Sequence, residues 1–171
     1  MRKKGKSLEE LKQIKLLSDC STVELQAIQN VAQRVEFAEG AVIMKEGDVG
    51  DSMYLFAEGE VLVTKNLTLK TGKKGFSTAE KSMVRLNAQF VTFFGDMALF
   101  ENDVRSATIT ASSKCVLYEI KREAFEKLAA ENSGLGYRLI RRIATVLCHR
   151  VRQGNQDVLK LTTALSIALS K

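Results

Sequence analysis

Phe94-Gly95-Asp96-Met97-Ala98-Leu99-Phe100, followed by Glu101-Asn102-Asp103-Val104 and then Arg105-Ser106-Ala107-Thr108-Ile109, is the stretch that decides how this chain reads. A glycine opens a tight turn, and Asp96-Met97-Ala98-Leu99 suits one helical turn behind it. The free N–H groups at such a helix start, those of Met97 and Ala98 among them, favour an anion. Arg105 is expected to begin a strand, and its guanidinium can grip two oxygens of one phosphate in parallel. Gly95, Ala98, Ser106 and Ala107 are small and leave room for a ligand against the backbone. The carboxylate of Asp96 would repel a phosphate, so its useful role is to accept a hydrogen bond from a sugar hydroxyl. Each charged residue also has a plainer reading. Aspartate favours the helix N-cap, and Arg105 could be a surface residue paired with Glu101 or Asp103. One arginine, one nest of amides and one carboxylate together suit a singly charged phosphate joined to a ribose.

Working outward, the chain reads as helices, then many short strands, then helices. Upstream, residues 35–37, 41–44, 53–57 and 60–65 are rich in β-branched or aromatic side chains. They are punctuated by Glu39-Gly40, Glu46-Gly47-Asp48, Gly50-Asp51 and Glu58-Gly59. Short strands at such regular spacing argue for a roll, barrel or sandwich. Residues 66–80 read as an exposed hairpin loop, with strands resuming at 82–86, 90–93, 106–111 and 115–120. Ser7-Leu8-Glu9-Glu10 and Ser21-Thr22-Val23-Glu24 each carry the capping-box spacing, which predicts two short helices ending near Arg34. Downstream, residues 122–131 form one helix. Leu135, Leu139, Ile143, Val146 and Leu147 trace one face of a longer one. Val158, Leu161, Leu165, Ala168 and Leu169 make a second stripe, with Gly154-Asn155 as the place where the two could kink or separate. Met53, Phe56, Phe93, Phe94 and Phe100 are assigned to the core, and Arg138, Arg141, Arg142, Arg150 and Arg152 to a solvated helix face. The expected organisation is a basic disordered tail (1–6), N-terminal helices (7–34), a β-roll (35–121) and C-terminal helices (122–171) that act as lid or dimerisation element.

The opening stretch resembles the phosphate-binding cassette of the cyclic nucleotide-binding domains found in catabolite activator proteins, kinase regulatory subunits and gated channels. That cassette usually reads Phe-Gly-Glu-Leu/Met-Ala-Leu, a short gap, and Arg-Ser/Thr-Ala-Thr. Here Asp96 stands in the glutamate's place, and Val104 where a proline often precedes the arginine. Ile43-Met44-Lys45-Glu46-Gly47-Asp48-Val49-Gly50-Asp51-Ser52-Met53-Tyr54-Leu55 is similar to the family's Glu-Gly-Asp turn and following strand. Gly59-Glu60-Val61 is similar to its next turn, and Glu119-Ile120-Lys121-Arg122-Glu123-Ala124-Phe125 to the exit into its first C-terminal helix. The resemblance covers roughly residues 16–150. It implies a mainly β fold with flanking helices, an antiparallel double-stranded β-helix or jelly roll. It also implies that Arg105 neutralises a cyclic phosphate, Ser106 adds a hydroxyl, the amides of Met97 and Ala98 donate, and Gly95 and Asp96 meet the ribose 2′-hydroxyl, with Ala107 beside them. In the family a C-terminal helix often covers the base, so Thr162 and Thr163 are candidates to bond its edges.

Composition narrows the alternatives. The chain has 171 residues, 45% hydrophobic and 27% charged, the balance of an ordinary globular protein and not of a disordered chain or fibre. No apolar run approaches the roughly 20 residues of a membrane-spanning helix, and no signal-peptide pattern follows the basic start, so a cytoplasmic location is expected. The net charge is +6, but Arg2, Lys3, Lys4 and Lys6 supply four of those charges. With no DNA-reading motif, nucleic-acid binding is not expected. A single histidine, His149, and three widely spaced cysteines, Cys20, Cys115 and Cys148, leave no metal site, no catalytic residues and no enzyme reading. The expectation is a stand-alone, non-enzymatic cyclic nucleotide sensor. It takes cAMP in preference to cGMP and no other cofactor, and it relays binding through its C-terminal helix. Its output is expected to pass to a homodimer or an unidentified partner protein rather than to DNA or a membrane, since the chain stops where activator relatives continue into a helix-turn-helix. The alternatives are a ligand-free β-roll interaction module and, on the basic tail alone, a polyanion-binding adaptor.

Overall fold

An unbroken apolar run such as Met53-Tyr54-Leu55-Phe56 can form a strand only where both of its faces are covered, because alternate side chains point to opposite sides. β3 (Ser52–Glu58) is covered on both. Met53 and Leu55 face a layer of helices, and Tyr54 and Phe56 face a second sheet. β8 (Cys115–Lys121) repeats the pattern beside it, with Tyr118 and Ile120 toward the helices and Cys115 and Leu117 toward the sheet. The structure is a computed structural model that describes residues 2–71, 75–101 and 104–170.

The element order begins with α1 (Arg2–Gln13), a 3-10 turn (Lys15–Leu17) and α2 (Thr22–Val31). The strands β1 (Ala32–Phe37), β2 (Val42–Met44), β3, β4 (Glu60–Thr71), β5 (Gly75–Asn87) and β6 (Phe93–Phe94) follow. Then come α3 (Met97–Phe100), β7 (Thr108–Ala111), β8, α4 (Arg122–Glu131) and α5 (Ser133–Leu169). One sheet has the order β1-β8-β3-β6 and the other β2-β7-β4-β5, and every pairing is antiparallel. This is the expected jelly roll with helices at both ends. One core lies between the sheets, centred on Phe56, Val61 and Leu117. The other lies between the first sheet and the helices, where Leu11, Leu17, Ile28, Tyr118, Leu135 and Ile143 are almost fully buried.

Several expectations need correction. Of the two capping-box sequences, Ser21 and Glu24 form the reciprocal pair at the start of α2, whereas Ser7 and Glu10 lie inside α1, which begins at Arg2. There Glu10 accepts the Tyr118 hydroxyl proton at 2.6 Å, the Ser7 hydroxyl donates to the same phenol oxygen at 2.9 Å, and Glu10 also pairs with Arg34. Residues 66–80 are not a loop over most of their length. β4 and β5 pair from Glu60↔Asn87 to Thr71↔Gly75, because ladder bonds are made by the backbone and need no apolar side chain. The tip at residues 72–74 lies outside the described residues. α5 runs unbroken through Gly154, 37 residues in all. One glycine costs a helix only about 1 kcal/mol and does not by itself end it. Phe100 is half exposed on the outer side of α3. Cys20 and Cys115 are buried, while Cys148 is exposed on α5. No helix among the described residues is long and apolar enough to cross a membrane.

Candidate functional site

Arg105 sits where two distant turns meet. Its N–H donates to Asp48 O at 2.8 Å and its carbonyl accepts from Gly47 N–H at 3.0 Å, while Val104 bridges to Val49. The Glu-Gly-Asp turn therefore holds the backbone of the cassette arginine, and Arg105 stands in a loop just before β7 instead of beginning a strand. Its side chain turns inward and is only 8% exposed. Nη1 donates to Gly95 O at 3.3 Å and Nη2 to Ser52 Oγ at 3.2 Å. A Cβ on Gly50 would lie 2.1 Å from the guanidinium Nε, and one on Gly95 would lie 3.0 Å from Nη1. Both positions must stay bare for the arginine to fit, and Gly95 also has φ +71°, a left-handed conformation that glycine adopts without strain.

Among the described residues no carboxylate is within ion-pair distance of Arg105, Glu101 included, so the reading as a surface ion pair with that residue fails; Asp103 lies outside the described residues. A buried charge served only by two neutral oxygens is costly unless an anion completes its surroundings. Ser106 is exposed and Ala107 half-buried at the start of the path into β7.

The helix start is less open than expected. Ala98 N–H donates to Gly95 O at 3.2 Å, so of the two amides expected as donors, Ala98's is already engaged within the turn. Asp96 occupies the N-cap position but makes no capping bond. Its carboxylate, on a side chain 7% exposed, accepts from Arg150 Nη1 at 2.9 Å. Arg150 Nη2 donates to Phe93 O at 2.7 Å, and the guanidinium stacks over the Phe93 ring at 4.8 Å. Both readings of Asp96, ribose acceptor and N-cap, thus meet a third arrangement, an ion pair to α5.

The structure does not bring Thr162 and Thr163 to the cassette. They are exposed, and their hydroxyls donate to carbonyls of their own helix at Val158 and Leu159. They lie about 18 Å of helix rise beyond Arg150. Five residues that sequence reasoning missed complete the site: Gly50, Ser52, Glu119, Arg122 and Arg150. Ser52 Oγ donates to Glu119 Oε1 at 2.8 Å, and so does the Tyr54 hydroxyl at 3.1 Å. Arg122 opens α4 by donating from its backbone to Asp51 O at 2.7 Å. Its guanidinium donates to the carbonyls of Ala98 in α3 and of Glu101 just after it, each at 2.7 Å. Gly50 and Ser52 had a signal, since they directly follow the Glu-Gly-Asp turn. The α5 arginines had none: Arg138, Arg142 and Arg150 look like a solvated face, yet they pair with Glu24, Asp19 and Asp96.

Comparison with known proteins agrees with this geometry. The family model described as "Cyclic nucleotide-binding domain" matches residues 34–132. A cAMP-dependent protein kinase regulatory subunit of Dictyostelium discoideum is 31% identical over 129 residues, covering 74% of this chain and 37% of that protein. The same subunit of Schizosaccharomyces pombe is 29% identical over 118 residues, 69% of this chain and 25% of that protein. The chain thus spans well under half the length of these relatives. A crystal structure of a cyclic nucleotide-binding domain from Methylobacillus flagellatus superposes with a TM-score of 0.72 at 26% identity, covering 92% of this chain and 83% of that one. With the cassette, the Glu-Gly-Asp turn and the roll in place and more than half the sequence matched, this chain belongs to the cyclic nucleotide-binding domain family.

Proposed function

We propose that the chain is a non-catalytic cyclic nucleotide sensor with cAMP as its preferred ligand. The observation that carries this reading is the buried guanidinium of Arg105, which has no ion-pair partner among the described residues and donates to Gly95 O and Ser52 Oγ. The phosphate of a cyclic nucleotide carries a single negative charge, which a guanidinium can grip through two oxygens in parallel. Ser106 and the amide of Met97 lie on the same short stretch. The preference for cAMP rests on Ser106 in place of threonine and on the relatives, which are named as cAMP-dependent.

Relay follows from the two arginines that tie the cassette to the helices. Arg122 joins α3 to the start of α4, and Arg150 joins Asp96 to α5. A ribose hydroxyl that competes for Asp96 loosens α5, and a change in α3 pulls on α4. Binding and helix position are then coupled as a shift between two states. Beyond Arg150, α5 carries Val151, Val158, Leu161 and Leu165 exposed to between 59% and 70%. With Gly154 and Ala168 they recur at alternating steps of four and three, the seam of a two-stranded coiled coil. We assign that seam to a second copy of the chain.

Isothermal titration with cAMP and cGMP tests the reading. A saturable isotherm is expected, stronger for cAMP and weakened at least about tenfold by Arg105→Ala, because a charge-assisted contact of this kind contributes about 1.5–3 kcal/mol. Equal, weak heats for wild type and variant would instead favour the ligand-free interaction module, a reading supported by the engagement of Asp96 with Arg150.

A further inference from the structure

Glu119 is a half-buried acid on the face of β8 that otherwise carries the buried Cys115 and Leu117. A carboxylate in such surroundings needs donors. It has two, the hydroxyls of Ser52 and Tyr54 on the neighbouring β3, and both reach the same oxygen. Tyr54 stands directly opposite Glu119 in the β3–β8 ladder, and Ser52 lies on the diagonal.

A serine hydroxyl has one proton and two lone pairs. At Ser52 the proton is committed to Glu119, so a lone pair is what faces Arg105 Nη2. Without an acceptor at position 119 the hydroxyl is free to rotate, its proton can oppose the arginine N–H, and Arg105 keeps only the Gly95 carbonyl.

We propose that Glu119 is a positioning residue for the anion site: by taking the Ser52 proton it fixes that hydroxyl as an acceptor and holds the Arg105 guanidinium in its binding orientation before any ligand arrives. An arginine already ordered loses less freedom on binding than one that the ligand must order. The consequence for affinity rests on the reading of Arg105 as the partner of a nucleotide phosphate. The consequence for the free protein does not.

The test compares Glu119→Met, which keeps the length but removes the acceptor, with Glu119→Gln, which keeps an acceptor, with Ser52→Ala, and with the double variant Ser52→Ala/Glu119→Met. Two readouts are taken on the full chain: the Nε–Hε signal of Arg105 in arginine-labelled NMR without ligand, assigned by its loss in Arg105→Ala, and cAMP affinity by calorimetry. Wild type and Glu119→Gln are expected to show a sharp, slowly exchanging signal and affinities within about twofold of each other. Glu119→Met and Ser52→Ala are expected to broaden that signal and weaken cAMP about tenfold, with the double variant no weaker than Ser52→Ala alone. An unchanged Arg105 signal in Glu119→Met, a Gln variant as weak as the Met variant, or additive losses in the double variant overturns the proposal. If Glu119→Met does not fold, Glu119→Ala takes its place. If wild type gives no cAMP heat, the nucleotide reading fails, and the Arg105 signal still decides whether Glu119 positions it.

Discussion

The two halves of α5 obey the same helical periodicity and live in opposite surroundings. From Ser133 to Arg150 the helix buries Leu135, Leu139 and Ile143 against α2, α4 and the first sheet, and pins itself with three arginines to Glu24, Asp19 and Asp96. After Arg150 no described residue is buried, although leucine and valine recur just as regularly. The contrast separates what makes a helix from what holds one. Spacing gives an apolar face, but only a surface opposite that face turns it into stability.

This contrast can be broken most severely in the anchored half. Ile143→Ala or Leu139→Ala is expected to cost about 2–5 kcal/mol in denaturant unfolding, the cost of a cavity in a packed core. Arg150→Ala leaves the shielded Asp96 carboxylate without its cation and is expected to cost about 1–3 kcal/mol. The surface that receives this half can be sharpened by pH. Tyr118 belongs to the same buried cluster as Leu135, Leu139 and Ile143, and burial first, then its bond to Glu10, pushes its phenol up to about 12 from 10. The neutral phenol is thus the folded form, so its contribution is complete below pH 10 and is lost as pH rises from 10 toward 12. Melting curves across that range should fall for wild type more than for Tyr118→Phe, which itself costs about 1 kcal/mol at neutral pH. The smallest effect is expected in the free half. Leu161→Asp with Leu165→Asp should leave the unfolding of the dilute monomer within about 0.5 kcal/mol of wild type. The same pair of changes should abolish self-association in sedimentation. A large loss of monomer stability there would mean that the distal half has a partner within its own chain.

Much of the roll could be read from the residues, and the reason is local. A run such as Met53 to Phe56 and turns built on glycine carry their meaning within a few positions. The cassette was legible for the same reason, down to Gly95 and Arg105. What escaped depends on what lies across a gap. Ser7-Leu8-Glu9-Glu10 and Ser21-Thr22-Val23-Glu24 share one signature, yet only the second caps a helix, because Tyr118 claims both polar groups of the first. Arg150 and Arg152 are equally basic members of one helix, and nothing in their neighbours says that the first reaches Asp96. Thr162 and Thr163 are candidates by resemblance alone, and a count of helix turns puts them about 18 Å along α5 from Arg150.

An unbroken α5 also sets a mechanical ratio. The last cassette contact is at Arg150, and the helix continues to Leu169, an overhang of about 29 Å at 1.5 Å per residue. At the other end Gly136 rests so closely on Ala129 that an added Cβ would lie 2.6 Å from it, which fixes a fulcrum between α4 and α5. From Gly136 to Leu169 is about 50 Å at 1.5 Å per residue, so a tilt of about 10° about that fulcrum moves the free tip sideways by roughly 9 Å. On the relay proposed above, a sideways shift of roughly 4 Å at the Arg150 level, enough to part Arg150 from Asp96, would be magnified more than twofold at the tip.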